Sequence, residues 1–443
     1  MAEIVPVRAV LYDPARVEPS RVIAPPYDVI SEEDRARLEA RDPHNCVRLI
    51  LPRGEGEEKY AGAARLVAAW RAEGVLRREA RPALYRYHQV FTSPELGPAP
   101  VTRRGFIAGV RLHRFDEGVI LPHERTLRGP KEDRLKLMRA TRAQEFSQIF
   151  TLYPDPDRAT DRAFAEAEAR PPDLEGTTPD GTLHRLWRVA DAGTIGEVAR
   201  LLAPLQLYIA DGHHRYETML SLRDELRAAA GGTLPPMATP EFGTLFLANM
   251  DDPGLVVLPT HRLVHGLPAF DLAALLARAR DHFEVEELAG GAGDAPALRA
   301  ALAERSQRRP TFAAVVPGDG RAWLLSLRVD PAATGLPGSR ALTSLDVTLL
   351  HGLVLERILG IDRAAQEAQT NLVYVKDTRD ALARMARKEA QVGFLMHPTR
   401  VDQVRAVADA HEVMPQKSTF FYPKIASGLV MNPLDPTELL ERV

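Results

Sequence analysis

Leu205-Gln206-Leu207-Tyr208-Ile209-Ala210-Asp211-Gly212-His213-His214-Arg215-Tyr216-Glu217 is the stretch whose reading decides the fold. Leu205 to Ala210 is a short apolar run rich in β-formers and reads as a strand; Asp211 to Arg215 reads as a tight turn about Gly212, and Tyr216 to Ala230 as a helix. A strand that ends in a glycine turn and opens a helix directs backbone N–H groups and the positive end of the helix dipole beyond the strand's carboxyl end. That is an anion site. His213, His214 and Arg215 add donors for phosphate oxygens, and Asp211 can hold a magnesium ion or accept a proton. The competing reading makes Asp211 a helix cap and the two histidines ordinary surface residues.

Outward from this turn, the composition sets the bounds. Of 443 residues, 45% are apolar and 26% charged, with a formal net charge of -3. Such a balance excludes disorder by composition and offers no global electrostatic case for nucleic acid or a membrane surface. The basic residues are unevenly divided, since only seven of the 57 are lysines: Lys59, Lys131, Lys136, Lys376, Lys388, Lys417 and Lys424. In so arginine-rich a chain, a retained lysine points to a need for its compact, mobile ammonium group. Cys46 is the only cysteine, so neither an intrachain disulfide nor a cysteine-based metal cluster can form. No basic stretch leads into an apolar run at the N-terminus and no window approaches a membrane span, so a cytoplasmic location is expected.

Three further segments carry chemistry. Pro25-Pro26-Tyr27-Asp28 places Asp28 on a corner ahead of a helix capped by Ser31 and acidic in its first turn. Pro122-His123-Glu124-Arg125-Thr126, followed by Gly129-Pro130-Lys131-Glu132-Asp133-Arg134, combines candidate general bases with phosphate clamps in one loop. Met414-Pro415-Gln416-Lys417-Ser418-Thr419 reads as a phosphate loop with Lys417 as point charge, although it lacks the spacing of a Walker loop. Asn45 with Arg48, Asn249 with Asp251, and Thr260-His261-Arg262 read as local caps or surface pairs, and Cys46 as a core residue. A histidine-ligated zinc is disfavoured because no His-Glu-x-x-His spacing occurs.

In combination, Ala24-Pro25-Pro26-Tyr27-Asp28-Val29-Ile30, Asn45-x-x-Arg48-Leu49, His123-Glu124-x-Thr126, Pro130-Lys131-x-Asp133-Arg134, Ala210 to Glu217 and Met414 to Thr419 resemble a bacterial and archaeal family. It is numbered one thousand and fifteen in the domain-of-unknown-function series. The Asp-Gly-His-His-Arg turn is also similar to the Asp-Gly-His-x-Arg turn of free-serine kinases related to the partition protein ParB and to sulfiredoxin. That resemblance implies a mixed α/β fold with a ParB/serine-kinase-like catalytic core carrying a large insertion. The change to alanine-rich, helical composition from Asp271 sets a boundary near Leu267, so the catalytic region is expected over residues 1–267 and a C-terminal α+β domain that brings in the Lys417 motif over 268–443.

The same resemblance implies phosphoryl transfer, from pyrophosphate or a nucleoside phosphate, to the hydroxyl of free L-serine. On this expectation Asp28, Glu124, Asp211 and His213 are catalytic, with Asp211 also holding magnesium and Asp28 or Glu124 taking the hydroxyl proton. His123, Thr126, Lys131, Arg134, Gly212, His214, Arg215, Lys417, Ser418 and Thr419 bind donor or substrate. Partners are small molecules, with no nucleic acid or membrane. Two rivals stay open: a nucleotide-dependent binding switch of the ParB type, disfavoured because acidic residues alternate with arginine on most predicted helices, and a metal-dependent phosphohydrolase built on Asp211, His213, His214 and Glu217.

Overall fold

A computed structural model describes residues 1–443 apart from 125–128, 145, 289 and 443. The protein is a mixed α/β chain organised on two large sheets. In the first sheet the order is Ile120–Leu121, Leu207–Asp211, Ile149–Tyr153, Phe242–Asn249, Gly97–Arg111, Leu84–Ser93, Leu183–Val189 and Leu174–Thr177, with Ile4–Val5 paired to Gly97–Arg111. Leu207–Asp211 runs parallel to Ile120–Leu121 and antiparallel to Ile149–Tyr153, with a register shift between Ile209 and Asp211. Apolar side chains at Leu207, Tyr208, Ile209 and Ala210 are all buried, as expected for a strand covered on both faces. The strand therefore fixes where Asp211 emerges.

The Gly129–Thr141 and His213–Ala229 helices pack against each other. In the second of these Arg215, Tyr216, Met219, Leu222 and Arg223 are buried, a three-and-four spacing that lays one stripe inward and sends Asp224 and Glu225 outward.

The second sheet is antiparallel throughout, ordered Phe283–Leu288, Ala322–Leu327, Thr311–Val315, Val392–Met396, His261–Val264 and Leu372–Val375. His261–Val264 thus belongs to this sheet although it precedes residue 268 in sequence. The C-terminal segment then crosses back. Phe420–Tyr422 pairs with Val256–Leu258, and isolated bridges tie Met414 to Glu124, Ser427 to Ala24, Met431 to Val10 and Pro433 to Ala143. This return path sets the Lys417 motif beside the first sheet.

Candidate functional site

The turn after Leu207–Asp211 is shorter than the sequence suggests. Helix geometry begins at His213, so both histidines occupy the first helical turn instead of a loop. Gly212 makes that possible with φ 93°, and a Cβ there would lie 3.0 Å from the Arg215 guanidinium. Tyr216 N–H donates to Gly212 C=O at 3.0 Å, and the N–H groups of the residues before it form the open end of the helix.

Asp211 is locked between two cations. Its Oδ2 accepts from Arg215 Nη2 at 2.6 Å, and its Oδ1 from Lys424 Nζ. Burial is the largest influence and opposes ionisation, yet the charges of Lys424 and Arg215 together hold the carboxyl well below the usual carboxylate range. Arg215 is itself fixed, donating through Nη1 to Gln148 C=O at 2.7 Å and Ser147 C=O at 3.2 Å.

His123 and His213 form a neutral pair. His123 Nδ1–H donates to Ile209 C=O at 2.6 Å, leaving Nε2 to accept from the Thr419 hydroxyl at 2.9 Å. Its backbone N–H donates to His213 Nε2 at 3.2 Å, which puts the His213 proton on Nδ1. The two rings meet edge to face at 4.7 Å. Burial pulls His123 down to about 4 and His213 far below its ordinary value, and the neighbouring imidazole adds to the latter. Neither ring carries charge at neutral pH.

The C-terminal motif closes over this pair. Met414 N–H donates to His123 C=O at 2.8 Å, and Lys417 N–H to Glu124 Oε1 at 3.2 Å. Lys417 lies in the left-handed region at φ 57°, unusual for a residue other than glycine, asparagine or aspartate. Its carbonyl accepts from Arg262 Nη2 at 2.9 Å. Ser418 is engaged locally: its hydroxyl donates to Pro415 C=O at 2.5 Å, and its carbonyl accepts from Thr399 at 2.8 Å. Burial raises the Glu124 carboxyl above its ordinary value, against the pull of Lys417 and Lys424.

Two lysines join that the sequence alone does not assign to a site. Lys424 is the ion-pair partner of Asp211, and Lys376, at the end of the Leu372–Val375 strand, comes from the second sheet. Their ammonium groups lie over the Phe420 ring, 3.7 Å from its centroid for Lys376 and 4.6 Å for Lys424. Burial, then repulsion from Lys424 and Lys417, lowers Lys376 to about 8, while Asp28 and Asp211 act in the opposite direction. Lys376 has no carboxylate partner within ion-pair distance among the described residues. Lys376, Lys417, Lys424 and Arg215 therefore bring four cations to a region where Asp211 and Glu124 are the inner carboxylates.

Other expected members are placed differently. His214 is near enough to feel Lys131, Glu217, Lys417 and Asp28; burial first, then Lys131, lowers it. Lys131 pairs with Glu217. Arg134 is buried in the scaffold: it pairs with Asp133, donates to Ile50 C=O at 2.6 Å and stacks over Tyr27 at 4.3 Å. Asp28 sits exposed on the Tyr27–Val29 turn, at the rim that His214 and Lys376 share. Thr126 lies outside the described residues. His261 and Arg262, expected as surface residues, are instead fully buried, because their strand is interior to the second sheet. Among the described residues no group of three or more His, Cys, Asp or Glu is placed to hold a metal ion, and both Asp211 oxygens are already engaged.

A family model described as protein of unknown function (DUF1015) matches residues 4–348. The chain belongs to the DUF1015 family. Among solved structures, this DUF1015 chain is similar to a free serine kinase mutant in complex with ADP, at 14% identity and TM-score 0.38, over 76% of this chain and 93% of that one. A conserved hypothetical protein from Pyrococcus furiosus matches at 15% identity and TM-score 0.36, over 76% of this chain and 97% of the other. C-terminally truncated SbnI from Staphylococcus aureus matches at 10% identity and TM-score 0.36, over 74% and 87%. At these scores the likenesses stop short of an activity. A search of curated proteins gave no match.

Proposed function

We propose that this DUF1015 protein is a small-molecule kinase that transfers a phosphoryl group from pyrophosphate to the hydroxyl of free L-serine. The observation that carries the reading is the convergence of Lys376, Lys417, Lys424 and Arg215 on the helix start at His213, beside imidazoles that are neutral. An excess of fixed positive charge at a helix N-terminus suits a compact polyanion. Phosphoryl transfer asks for little more than alignment and neutralisation of charge on the moving group.

In the proposed reaction the serine oxygen attacks one phosphorus, the bridging P–O bond breaks and inorganic phosphate leaves. The hydroxyl proton goes to Glu124, whose raised carboxyl pKa suits a base and whose position is fixed by Lys417 N–H. Lys424 and Lys376 hold donor oxygens, and Asp211 keeps Lys424 and Arg215 in place. Asp28 serves as an exposed rim group toward the amine of the acceptor. Asp211 does not fit the magnesium expected with such a donor, because both its oxygens are held by Arg215 and Lys424; magnesium would enter with the donor as part of the substrate and would supply further charge neutralisation. The two sequence regions, 1–267 and 268–443, act as one unit here: the second supplies Lys376, Lys417 and Lys424.

A nucleoside phosphate is the second donor reading. The chain lacks a Gly-rich nucleotide loop, and the site's Phe420 ring is occupied by two ammonium groups instead of standing open to a base. Both favour the smaller donor. Incubation of the protein with serine, magnesium and either pyrophosphate or ATP, followed by mass spectrometry for phosphoserine, separates the two; absence of product with both donors removes the kinase reading.

A further inference from the structure

A cavity of 510 Å³ lies in the C-terminal half and takes Met414, Pro415 and Gln416 as one wall. The other walls come from the Leu336–Gly338 loop, from His351, Gly352 and Glu356 of a π-helix spanning Leu350–Glu356, and from Tyr374. None of Asp211, His213, Lys376, Lys417 or Lys424 lines it. Its volume falls within the range of about 300–1,000 Å³ typical of small-molecule sites, and π-helical turns recur at functional positions.

Its chemistry differs from that of the phosphate cage. Glu356, Glu367 and Glu412 line the cavity against one guanidinium, Arg363. Glu412 already accepts from Ser339 N–H at 2.9 Å, and Glu356 stands 3.9 Å from Arg363, but Glu367 has no ion pair among the described residues. His351 adds no charge, because burial takes it down to about 3, and both its ring nitrogens are bonded, to Gln366 at 2.8 Å and to Arg262 at 3.2 Å. Leu336, Leu342, Val413 and Pro415 supply an apolar side.

We propose that this cavity is a second ligand site, for a small molecule with an amine and an apolar body. The negative balance of the lining selects a cation and rejects the anionic donor. The apolar side, Leu336, Leu342, Val413 and Pro415, takes the carbon skeleton. Occupancy is positioned to reach the phosphate cage, since Met414–Gln416 leads directly into Lys417 and His351 contacts the same Arg262 that holds the Lys417 carbonyl.

The test reads binding alone and is independent of any turnover. Phenethylamine and hexylamine at millimolar concentration are added to the full-length protein, with hexanoate and pyrophosphate as anionic controls. The expected result is a rise in Tm of about 2 °C or more with the amines. Slowed amide exchange in peptides covering 336–352 and 411–416 should accompany it, neither effect being produced by hexanoate. Glu367→Lys, at an exposed position that leaves folding intact, is expected to weaken amine binding at least tenfold; Leu336→Trp, which plugs the cavity, should abolish it. No amine-dependent shift, an equal shift with hexanoate, protection confined to other peptides, or undiminished binding by Glu367→Lys would each overturn the assignment.

Discussion

Replacement of Lys424 by methionine is the most revealing single perturbation. In the native protein Asp211 sits buried between Lys424 and Arg215, with Arg215 at 2.6 Å. Removing one partner of a buried ion pair costs about 3–5 kcal/mol when nothing replaces it. Arg215 remains and keeps part of the compensation, so Lys424→Met should cost about 2–3 kcal/mol, somewhat below that range. Asp211→Asn should be destabilising alone, yet the double variant should recover about 2 kcal/mol of the summed single losses, because the uncompensated charge is gone. Urea unfolding of the four proteins at pH 7 measures this cycle directly. The sign with pH follows from the depressed Asp211 carboxyl: its stabilisation is present above the unfolded-state pKa and is lost as pH falls through the native value. Without Lys424 the native value rises, so the acid transition of Lys424→Met should move to higher pH. Strict additivity within about 0.5 kcal/mol, or an unchanged acid transition, would refute the claim that Lys424 sustains a buried Asp211 charge.

Lys376→Met should separate stability from activity. It removes a half-buried ammonium that lies over Phe420 with no carboxylate partner among the described residues, so the variant should gain about 1–2 kcal/mol after allowance for exposure while losing affinity for the donor; parallel Tm and KM measurements check both. With Lys376 near 8, the wild-type KM for donor should rise as pH increases through that value, and Lys376→Arg should abolish the rise. Glu124→Gln should reduce kcat about 100-fold or more and remove the acidic limb of the pH–rate profile, whereas Asp28→Asn should act mainly on KM for the acceptor; reversal of these two effects would move the base to Asp28. Gly212→Ala should destabilise by about 1–2 kcal/mol and weaken donor binding, because φ 93° and the Arg215 guanidinium 3.0 Å away resist a methyl group.

Much of this arrangement is legible in the sequence for local reasons. The apolar run ending in Asp-Gly announces the strand and the helix start, since both depend on neighbouring residues alone, and Gly212 signals its own positive φ. His123, Glu124 and Lys417 are visible as motifs, and the structure brings them together through hydrogen bonds from the Met414 and Lys417 backbone that no local pattern encodes. Less legible is Lys424, whose partner Asp211 lies 213 positions away in the chain, and Lys376, which reaches the site only because the second sheet is placed against the C-terminal segment. The scarcity of lysine is the one sequence signal that points to both. Arg134 shows the reverse case: its motif suggests a phosphate clamp, but burial among Tyr27, Ile50 and Asp133 gives it a scaffold role. His261 and Arg262 look like a strand-end surface pair until the strand is seen to be interior, where Arg262 holds the Lys417 carbonyl.

The proposed activity is transfer of a phosphoryl group to a small alcohol at the lysines gathered around the His213 helix start. Mass-spectrometric detection of phosphoserine after incubation of the purified protein with L-serine, pyrophosphate and magnesium tests it most directly. Phosphoserine and inorganic phosphate should form in equal amounts, with about a 100-fold or greater loss of product for Lys424→Met. Phosphate release without phosphoserine, or no product from either pyrophosphate or ATP, would contradict it.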